Sequence, residues 1–429
     1  MMRLTLLVTI CVALGAQAQE DNVVTVNIEN DAARRFLSEV TYTSPEDTSL
    51  VKNYNVAPPY YRDQPVPARV ALPQAATDSL VLTYADDEDF TDSLHTVGVK
   101  AGSTHVDVYN LLPQHTYYYR VATLDGDVLT SGEIHTEGRL RMIYVKGCRN
   151  IRDMGGWMTV DGRRVKYGKL FRGSELNGIY NADSTDIVKL AEDLQIRAEL
   201  DMRAWYDEGH GESVFGFPSH TTGQSRNPTY YYTSDSGQEV SSLSDRWSRL
   251  KWKREFNYIV ACLSYDRNVY MHCVYGADRT GYLALLLDGI LGLDYSDVVK
   301  DYELTSFFMG NVYNKSRIEP VIDFIRTCKG ETLQEQFEHF FVDSLTVDIR
   351  NIEFFRNVML EDVKDDDVNP GGDDDDNPTT GIVSATGAEE TYRPAAAFDL
   401  WGRRTEGLAG RKGFVIVTGK DGRTRKMVR

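Results

Sequence analysis

Apolar and polar residues alternate in short runs from residue 20 to about residue 137. Residues typical of turns separate these runs, a pattern that predicts β-strands with one buried face. The predicted strands are DNVVTVNI, ARVALP, SLVLTYA, TVGVKA, THVDVYNL, TYYYRVAT and VLTSGEIHT. We therefore expect a β-sandwich over residues 19–138.

From residue 139 to residue 362 the pattern alternates between strands and helices. DSTDIVKLAEDLQI has apolar residues at helical spacing, and Asp183 or Ser184 is its expected N-cap. The other predicted elements are the strands RMIYVKG, IRAELDM and NVYMH and the helices over 238–263 and 282–291, SDVVKDYELTSFF, PVIDFIRTC and NIEFFRNVML. This alternation predicts an α/β domain with a central sheet.

Residues 204–237 carry no clear element. A loop of this length inside a domain is usually functional, so we expect a lid over a binding site. Within it, Tyr230, Tyr231 and Tyr232 are expected either to stack on a substrate ring or to pack in the interior.

The first 18 residues predict a secretory signal peptide. Arg3 precedes an apolar run, and Ala16 and Ala18 flank Gln17 in an A-x-A pattern. A membrane anchor, the alternative, would need a longer apolar run, and no other segment is apolar enough to span a membrane. We expect an exported protein that resides in the periplasm, on the outer-membrane surface or in the medium.

The length and the charge distribution of the chain indicate two further segments after the α/β domain. A chain of 429 residues is too long for one ordinary domain. The net charge of −17 is uneven, because DDDVNPGGDDDD alone contributes seven aspartates to a predicted linker at 363–380. Residues 381–429 are basic and predict a small β-module. The overall acidity argues against a nucleic-acid partner.

The decapeptide HCVYGADRTG, residues 272–281, separates a predicted strand from a predicted helix. Backbone N–H groups at a helix N-terminus bind anions, and Gly276 and Gly281 make it easier for the loop to curl around one. Arg279 can bind two phosphate oxygens, and Cys273 would be held as a nucleophilic thiolate. Thr280 could donate a hydrogen bond to that thiolate. The residues expected to surround a bound phosphate are His272, Val274, Tyr275, Gly276, Ala277 and Gly281.

The C-x5-R spacing of this loop is the signature of the cysteine-dependent phosphatases. The loop resembles in particular a bacterial branch of the tyrosine phosphatase superfamily, which reads HC-x-x-G-K-DRTG. Three further stretches resemble motifs of that branch, namely NIRDMGG at 150–156, LFRGS at 170–174 and LDMR at 200–203. The resemblance implies a four- or five-stranded, largely parallel sheet flanked by helices.

The resemblance also implies roles for single residues. Arg152, Asp153 and Arg172 belong to its motifs as candidates for substrate binding, although either arginine could instead be a structural ion-pair partner. His272 would order the loop through hydrogen bonds. Ala277 stands where the branch has lysine, which weakens the case for polyanionic substrates.

Two aspartates are candidates for the general acid that protonates the leaving group. Asp201 ends a predicted strand, where the chain opens toward a site, and it is the favoured candidate. Asp278 lies beside Arg279 and could instead order the loop. The alternative for Asp201 is a helix cap or a salt bridge to Arg203.

Both flanking regions resemble known modules. LLPQHTYYYRV, residues 111–121, resembles the tyrosine corner and the following strand of fibronectin type III domains. The pattern DLWGRR followed by GFVIV resembles a C-terminal module of exported Bacteroidetes proteins, which in some of them is a sorting signal for secretion.

Together these observations predict an exported protein-tyrosine phosphatase that works through a cysteinyl-phosphate. One alternative substrate class is phosphoinositides, inositol phosphates or other small phosphomonoesters. Another alternative is a vestigial phosphatase that serves as a surface-binding protein. We expect no cofactor and no metal ion, since no His/Asp cluster has metal-ligand spacing. A protein or a glycan is the expected partner of the β-sandwich.

Overall fold

The computed structural model describes residues 22–54, 65–91, 93–219, 229–232 and 246–363, and three strands near the C-terminus. The predicted signal peptide lies outside the described residues, as do nearly all of the predicted acidic linker and most of residues 220–245. The chain divides into two compact units, residues 1–369 and residues 370–429.

Seven strands form two sheets in the described part of residues 22–137. They are β1 (Asn22–Asn27), β2 (Ala68–Ala71), β3 (Leu80–Ala85), β4 (His95–Val99), β5 (His105–Val108), β6 (Thr116–Thr123) and β7 (Val128–Glu137). The larger sheet has the order β1-β7-β6-β3-β4, and β2 pairs with β5. Leu82, Val121 and Ile134 of the larger sheet share a core with Val70 and Val106 of the smaller one. The seven strands coincide with the predicted ones.

Helix α1 (Asp31–Glu39) follows β1, and the sequence pattern assigned it no element. The Asn30 side chain accepts a hydrogen bond from the Ala33 backbone N–H and caps the helix. Its buried face packs into the core of the second half of the unit, where the ring of Phe36 lies 5.4 Å from that of Phe307. A helix of nine residues is marginal by itself, so it needs this packing in addition to its cap.

The second half of the unit is a mixed α/β arrangement around a five-stranded sheet. Its strands are β8 (Arg152–Asp153), β10 (Leu170–Gly173), β11 (Ile196–Asp201), β12 (Thr229–Tyr232) and β13 (Asn268–His272), in the order β12-β11-β13-β10-β8. Only β8 is antiparallel to its neighbour. Gly173 and Asp201 both pair with His272, so the carboxyl ends of three parallel strands meet at the start of the cysteine loop, residues 273–279.

Helices surround this sheet. They are α2 (Ser184–Glu192), α3 (Arg246–Ser264), α4 (Asp278–Leu291), α5 (Tyr295–Glu303), α6 (Thr305–Met309), α7 (Glu319–Arg326), α8 (Leu333–His339) and α9 (Ile349–Met359). A short strand, β9 (Arg163–Val165), pairs with β14 (Leu360–Asp362) and joins the end of α9 to the body of the unit. None of the helices in the described ranges is both long and apolar enough to cross a membrane.

Several predicted elements need correction. RMIYVKG is not a strand, because only Met142 forms an isolated bridge, to Arg152. Helix α4 begins at Asp278, four residues earlier than predicted, and α8 was not predicted. Part of the expected lid is strand β12, in which Tyr230 and Tyr231 are buried. These two tyrosines therefore pack in the interior and do not form part of a lid.

The second unit contains three described strands, β15 (Pro394–Phe398), β16 (Phe414–Gly419) and β17 (Thr424–Val428). They form an antiparallel sheet in the order β15-β16-β17. The predicted strands AAFDLWGRR, GFVIVTG and TRKMVR overlap these three.

Candidate active site

Cys273 lies between the end of β13 and the start of α4, and only 3% of its surface is exposed. Helix α4 has 14 residues, and no side chain caps its N-terminus. Its free N–H groups and its dipole therefore direct positive potential toward the cysteine loop. Among the described residues, the N–H groups of residues 274–277 donate no hydrogen bond.

The carbonyl groups of Val274, Tyr275 and Gly276 in the cysteine loop are bound by residues outside the loop. Val274 O accepts from the Glu175 backbone N–H at 3.1 Å. Asn150 Nδ2 donates to Tyr275 O at 3.1 Å and to Gly276 O at 3.0 Å. Arg172 Nη2 also donates to Gly276 O, at 3.2 Å. Because the N–H groups of a tight loop turn away from its carbonyls, these bonds leave a concave face lined by donors.

The two glycines of the loop region serve different purposes. Gly276 has a φ of +65°, and a Cβ atom there would lie 2.2 Å from Gly173 O. Only glycine fits, because both the backbone conformation and the space exclude a side chain. Gly281 is inside α4, where a Cβ atom would lie 2.9 Å from the ring of Tyr302. Gly281 was predicted to help the loop curl around an anion. That prediction needs correction, because the missing side chain of Gly281 instead leaves room for helix α5.

Arg152 and Arg172 lie beneath the loop and are fully buried. Both pair with Asp301: Arg152 Nε lies 3.2 Å from Oδ1, and Arg172 Nη1 binds Oδ2. Arg152 Nη1 also donates to Asn150 Oδ1 at 2.6 Å. Of the two roles predicted for these arginines, the contacts are those of structural ion pairs. They fix the loop from outside rather than bind on its concave face.

Asp153 does not reach the cysteine loop. Its carboxylate accepts hydrogen bonds from the backbone N–H groups of Gly155 and Gly168. Burial raises the pKa of Asp153 to about 6. The predicted role in substrate binding is therefore corrected to one in the turn after β8.

Arg279 is held at the edge of the loop by two acceptors. Its Nη1 donates to Met202 O at 2.9 Å and to Asp207 Oδ2 at 3.0 Å. Asp207 also accepts from the Ala204 backbone N–H at 2.6 Å, so its carboxylate is itself fixed. Sequence reasoning missed Asp207. The available signal was a carboxylate shortly after the LDMR motif, at the end of a strand that borders the loop.

Asp201 is completely buried, and both of its carboxylate oxygens are occupied. Arg203 Nε and Nη2 bind them at 2.8–3.1 Å, and the Tyr230 hydroxyl donates to Oδ2 at 2.9 Å. Burial opposes ionisation, but the neighbouring His272 and Arg203 still hold the pKa of Asp201 below its usual value. A general acid must carry a proton and face the substrate, so the preference for Asp201 as the acid is reversed.

Asp278 is the more accessible aspartate. Nearly half of its side chain, 47%, is exposed at the first position of α4. Its Oδ1 accepts from the Tyr302 hydroxyl at 3.2 Å and from Arg317 Nη1 at 3.1 Å. It therefore has contact with solvent and a fixed orientation, which are the properties that Asp201 lacks.

His272 and Thr280 flank the cysteine on its buried side. His272 Nε2 lies 3.0 Å from Glu199 Oε1, and its Nδ1 lies 3.3 Å from Cys273 O. Thr280 is fully buried, and its hydroxyl has no hydrogen-bond partner among the described residues. The predicted bond from Thr280 to the cysteine is therefore not formed.

Aromatic rings line the mouth of the loop. The Tyr275 ring is 42% exposed and lies 5.9 Å from that of Tyr180. Arg317, which binds Asp278, lies with its Cζ 4.8 Å from the centre of the Tyr313 ring. Burial and then the charge of Asp278 raise the pKa of Tyr313 to about 12. Ala277 is completely buried at the N-cap of α4.

The remaining cysteines take no part in this arrangement. Cys148, Cys262 and Cys328 are free thiols, as is Cys273. Burial raises the pKa of Cys148 to about 12 and also raises that of Cys262. No group of three or more His, Cys, Asp or Glu side chains within the described ranges has the arrangement of a metal site.

The site thus combines a thiol at its base, a concave row of N–H donors, a helix N-terminus and a fixed guanidinium. Such a set binds a tetrahedral oxyanion and presents sulfur to its central atom. Residues 143–353 match a family model described as the tyrosine phosphatase family. All four motifs quoted above lie within this range.

One curated relative is similar over part of its length. It is a protein of Cupriavidus necator named "Putative tyrosine-protein phosphatase", and it is 24% identical over 164 residues. The aligned region is 36% of this chain and 59% of that protein. The chain therefore spans about three fifths of the length of the relative.

Proposed function

We propose that this chain is a phosphoric monoester hydrolase of the protein-tyrosine phosphatase type that works through a cysteinyl-phosphate. The observation that carries the proposal is the cysteine loop itself. Its carbonyls are bound on the outer side by Glu175, Asn150 and Arg172, which leaves the N–H groups for a phosphate above Cys273. Transition-state charge on the phosphoryl oxygens would meet donors that are already oriented.

The reaction takes place in two steps. Cys273 Sγ attacks phosphorus, the bond from phosphorus to the leaving oxygen breaks, and that oxygen takes a proton from Asp278. A water molecule then gives its proton to Asp278 and attacks phosphorus, so that the phosphorus–sulfur bond breaks and inorganic phosphate leaves. Arg279 binds two oxygens of the transferred group in both steps.

Asp278 rather than Asp201 is assigned the proton transfers. Asp278 is half-exposed and adjoins Arg279, whereas Asp201 is buried and occupied by Arg203 and Tyr230. Asp201 instead fixes Arg203, whose Nη1 and Nη2 donate to the backbone carbonyls of Glu208 and Gly209. It therefore supports the turn that contains Asp207.

The proposed substrate is an aryl phosphate such as phosphotyrosine. Tyr180 and Tyr275 provide rings at the mouth of the loop, against which a phenyl group can pack. Ala277 adds no positive charge there, which favours a single phosphate over a polyphosphate. Phosphoinositides and small phosphomonoesters remain the alternative substrates that a substrate panel compares.

We also propose an exported protein with two accessory modules. The strand order β4-β3-β6-β7 opposite β2-β5 supports a fibronectin type III-like first module. The Tyr117 hydroxyl accepts a hydrogen bond from the Leu112 backbone N–H at 3.0 Å, which is a contact of the tyrosine-corner kind. The antiparallel sheet of the second unit supports a separate C-terminal module. A role in sorting is proposed for it from the likeness of DLWGRR and GFVIV alone.

The test uses the purified chain with p-nitrophenyl phosphate and with phosphotyrosine peptides. Wild-type protein should turn over, and rapid quenching should trap one phosphoryl group on Cys273, located by mass spectrometry. Cys273→Ser should lose turnover but still bind vanadate or phosphate, because N–H groups and Arg279 form the anion site. Substantial turnover by the serine variant would refute the covalent mechanism.

A second comparison tests the acid. Asp278→Asn should slow phenyl phosphate by about 10²–10⁴-fold and affect a phosphate ester with a good leaving group much less. Asp201→Asn should show no such dependence on the leaving group. The reverse pattern would return the role to Asp201.

A further inference from the structure

Three consecutive residues at the end of helix α5 face three different parts of the molecule. Asp301 binds Arg152 and Arg172 beneath the cysteine loop. Tyr302 donates its hydroxyl hydrogen bond to Asp278 Oδ1. Glu303 is fully buried and faces the N-terminal segment, by which we mean residues 42–49. The end of α5 is thus shared by the cysteine loop and the N-terminal segment.

The N-terminal segment binds Glu303 through two side chains. The Tyr42 hydroxyl donates to Glu303 Oε2 at 2.6 Å, and the Ser49 hydroxyl donates to Oε1 at 2.6 Å. The Lys315 backbone N–H donates to the same Oε1 at 2.8 Å. One buried carboxylate therefore joins this segment to α5 and to the chain near Lys315.

Lys315 makes a second connection to the same segment. Its Nζ donates to the backbone carbonyls of Ser44, Pro45 and Asp47 at 2.9–3.0 Å, and the residue is only 3% exposed. A buried ammonium group with three carbonyl acceptors is a fixed point, since moving it would leave a charge unsolvated. Arg317 follows two residues later in the same short 3₁₀ helix, Lys315–Arg317.

Both connections end at one oxygen of Asp278. Tyr302, next to Glu303, and Arg317, next but one to Lys315, both donate to Oδ1. Oδ2 has no hydrogen bond to the described residues, and the side chain is half-exposed. A carboxylic acid held by one oxygen has its other oxygen oriented to give a proton to a leaving group.

We propose that the N-terminal segment is a positioning element for Asp278, acting through Glu303 and Lys315 on the two donors Tyr302 and Arg317. The inference rests on the proposed function, in which Asp278 is the general acid. The N-terminal segment lies outside residues 143–353, the range that matches the tyrosine phosphatase family. It is therefore an addition that this chain makes to its catalytic half.

The test removes the contacts from the N-terminal side only. In the double variant Tyr42→Phe, Ser49→Ala, Glu303 loses two donors, while the ring of residue 42 is kept. We expect kcat for phenyl phosphate to fall about tenfold, as part of the ~10²–10⁴-fold that a general acid contributes. KM, and kcat for an ester with a good leaving group, should stay within about twofold, because the anion site is unchanged.

Tyr54→Phe is the matched control. It is the same substitution near the same segment, and it removes only a hydrogen bond to the exposed Glu39 Oε2. Its kinetics should equal those of wild type with both esters. A thermal unfolding midpoint for every variant shows which proteins remain folded at the assay temperature.

A second variant keeps the inference testable if the double variant does not fold. Tyr302→Phe removes one of the two donors to Asp278 directly, and it should give the same selective loss with the poor leaving group. Combined with the double variant, it should lose less than the product of the separate effects, because both act through one contact.

The kinetic results distinguish failure of the positioning role from failure of the acid assignment. Equal losses with both esters, or no loss with either, would overturn the positioning role while Asp278→Asn still shows its dependence on the leaving group. If Asp278→Asn shows no such dependence, the assignment of the acid is wrong, and the positioning role falls with it.

Discussion

Asn150 offers the sharpest test of how the cysteine loop is held. It is fully buried, has a φ of 58°, donates to the carbonyls of Tyr275 and Gly276, and accepts from Arg152. In Asn150→Asp, aspartate keeps the shape, tolerates the left-handed backbone conformation and still accepts from Arg152. It loses only the N–H donors that face the loop.

The expected magnitude follows from these contacts. Tyr275 O loses its hydrogen bond, whereas Gly276 O keeps the one from Arg172. A buried carbonyl left unsatisfied costs about 1–3 kcal/mol, and the partly buried Tyr275 O should cost the lower part of that range. An ionised carboxylate facing two carbonyls adds repulsion to this cost. The loop can avoid this cost by turning Tyr275 O toward the anion site, where the carbonyl would repel the phosphate. In that case kcat/KM should fall by roughly 10- to 100-fold.

The assay is kcat/KM for p-nitrophenyl phosphate, together with the inhibition constant of inorganic phosphate. Both should worsen by similar factors, since the same N–H groups bind substrate and product. Asn110→Asp is the control, because Asn110 also has a positive φ, 65°, and donates to a backbone carbonyl, that of Tyr144, far along the chain from the loop. The explanation fails if Asn150→Asp keeps kcat/KM within twofold of wild type, or if Asn110→Asp loses as much.

Three further predictions concern other parts of the site. Gly276→Ala should abolish turnover, because its Cβ would lie 2.2 Å from Gly173 O. The control is Gly211→Ala, since Gly211 also has a positive φ, +78°, but has open space around it. This control should lose only about 1 kcal/mol of unfolding free energy, measured by denaturant titration. Asp201→Asn should destabilise the fold at pH 7 by less than the about 3–5 kcal/mol that a wholly unpaired buried charge costs, because Arg203 loses Asp201 but keeps Glu175 Oε2 at 3.3 Å. Since the folded-state pKa of Asp201 lies below its unfolded value, that difference should be complete above about pH 4 and shrink as the pH falls further, and a pH-independent difference would contradict it. Chelators should leave turnover unchanged, and an activity lost in chelator and restored by a divalent ion would oppose the mechanism.

The local parts of the fold followed from the sequence, and the contacts made at a distance did not. The strands around Leu82 and Val121 show a two-residue period, and α2 has its cap at Asp183, as expected. Helix α1 was missed although Asn30 caps it and Ala33, Phe36 and Leu37 have helical spacing, because its nine residues are too few for a clear periodic pattern. RMIYVKG has a strand-like composition, but its pairing with residues 151–153 is limited to an isolated bridge between Met142 and Arg152, so it forms no ladder.

For the site, too, the local features were predicted and the long-range contacts were not. The spacing from Cys273 to Arg279 determines the loop, because both residues lie on one short turn before a helix. The choice between Asp201 and Asp278 depended on what surrounds each carboxylate, and Tyr230 lies 29 positions from Asp201 in the chain. Asp301 carried no local signal for the same reason, and Asn150 belonged to the quoted NIRDMGG stretch without any sign of its bonds to Tyr275 and Gly276, 125 and 126 positions away.

Helix α5 also sets a limit on how the chain can change. Successive residues of an α-helix point about 100° apart, so Asp301, Tyr302 and Glu303 divide most of one turn among the buried arginines, the loop aspartate and the N-terminal segment. Inserting or deleting one residue within α5 would rotate all three side chains together, and every one would face the wrong neighbour. The three contacts can therefore be lost singly by substitution, but a change of helix length loses them all at once.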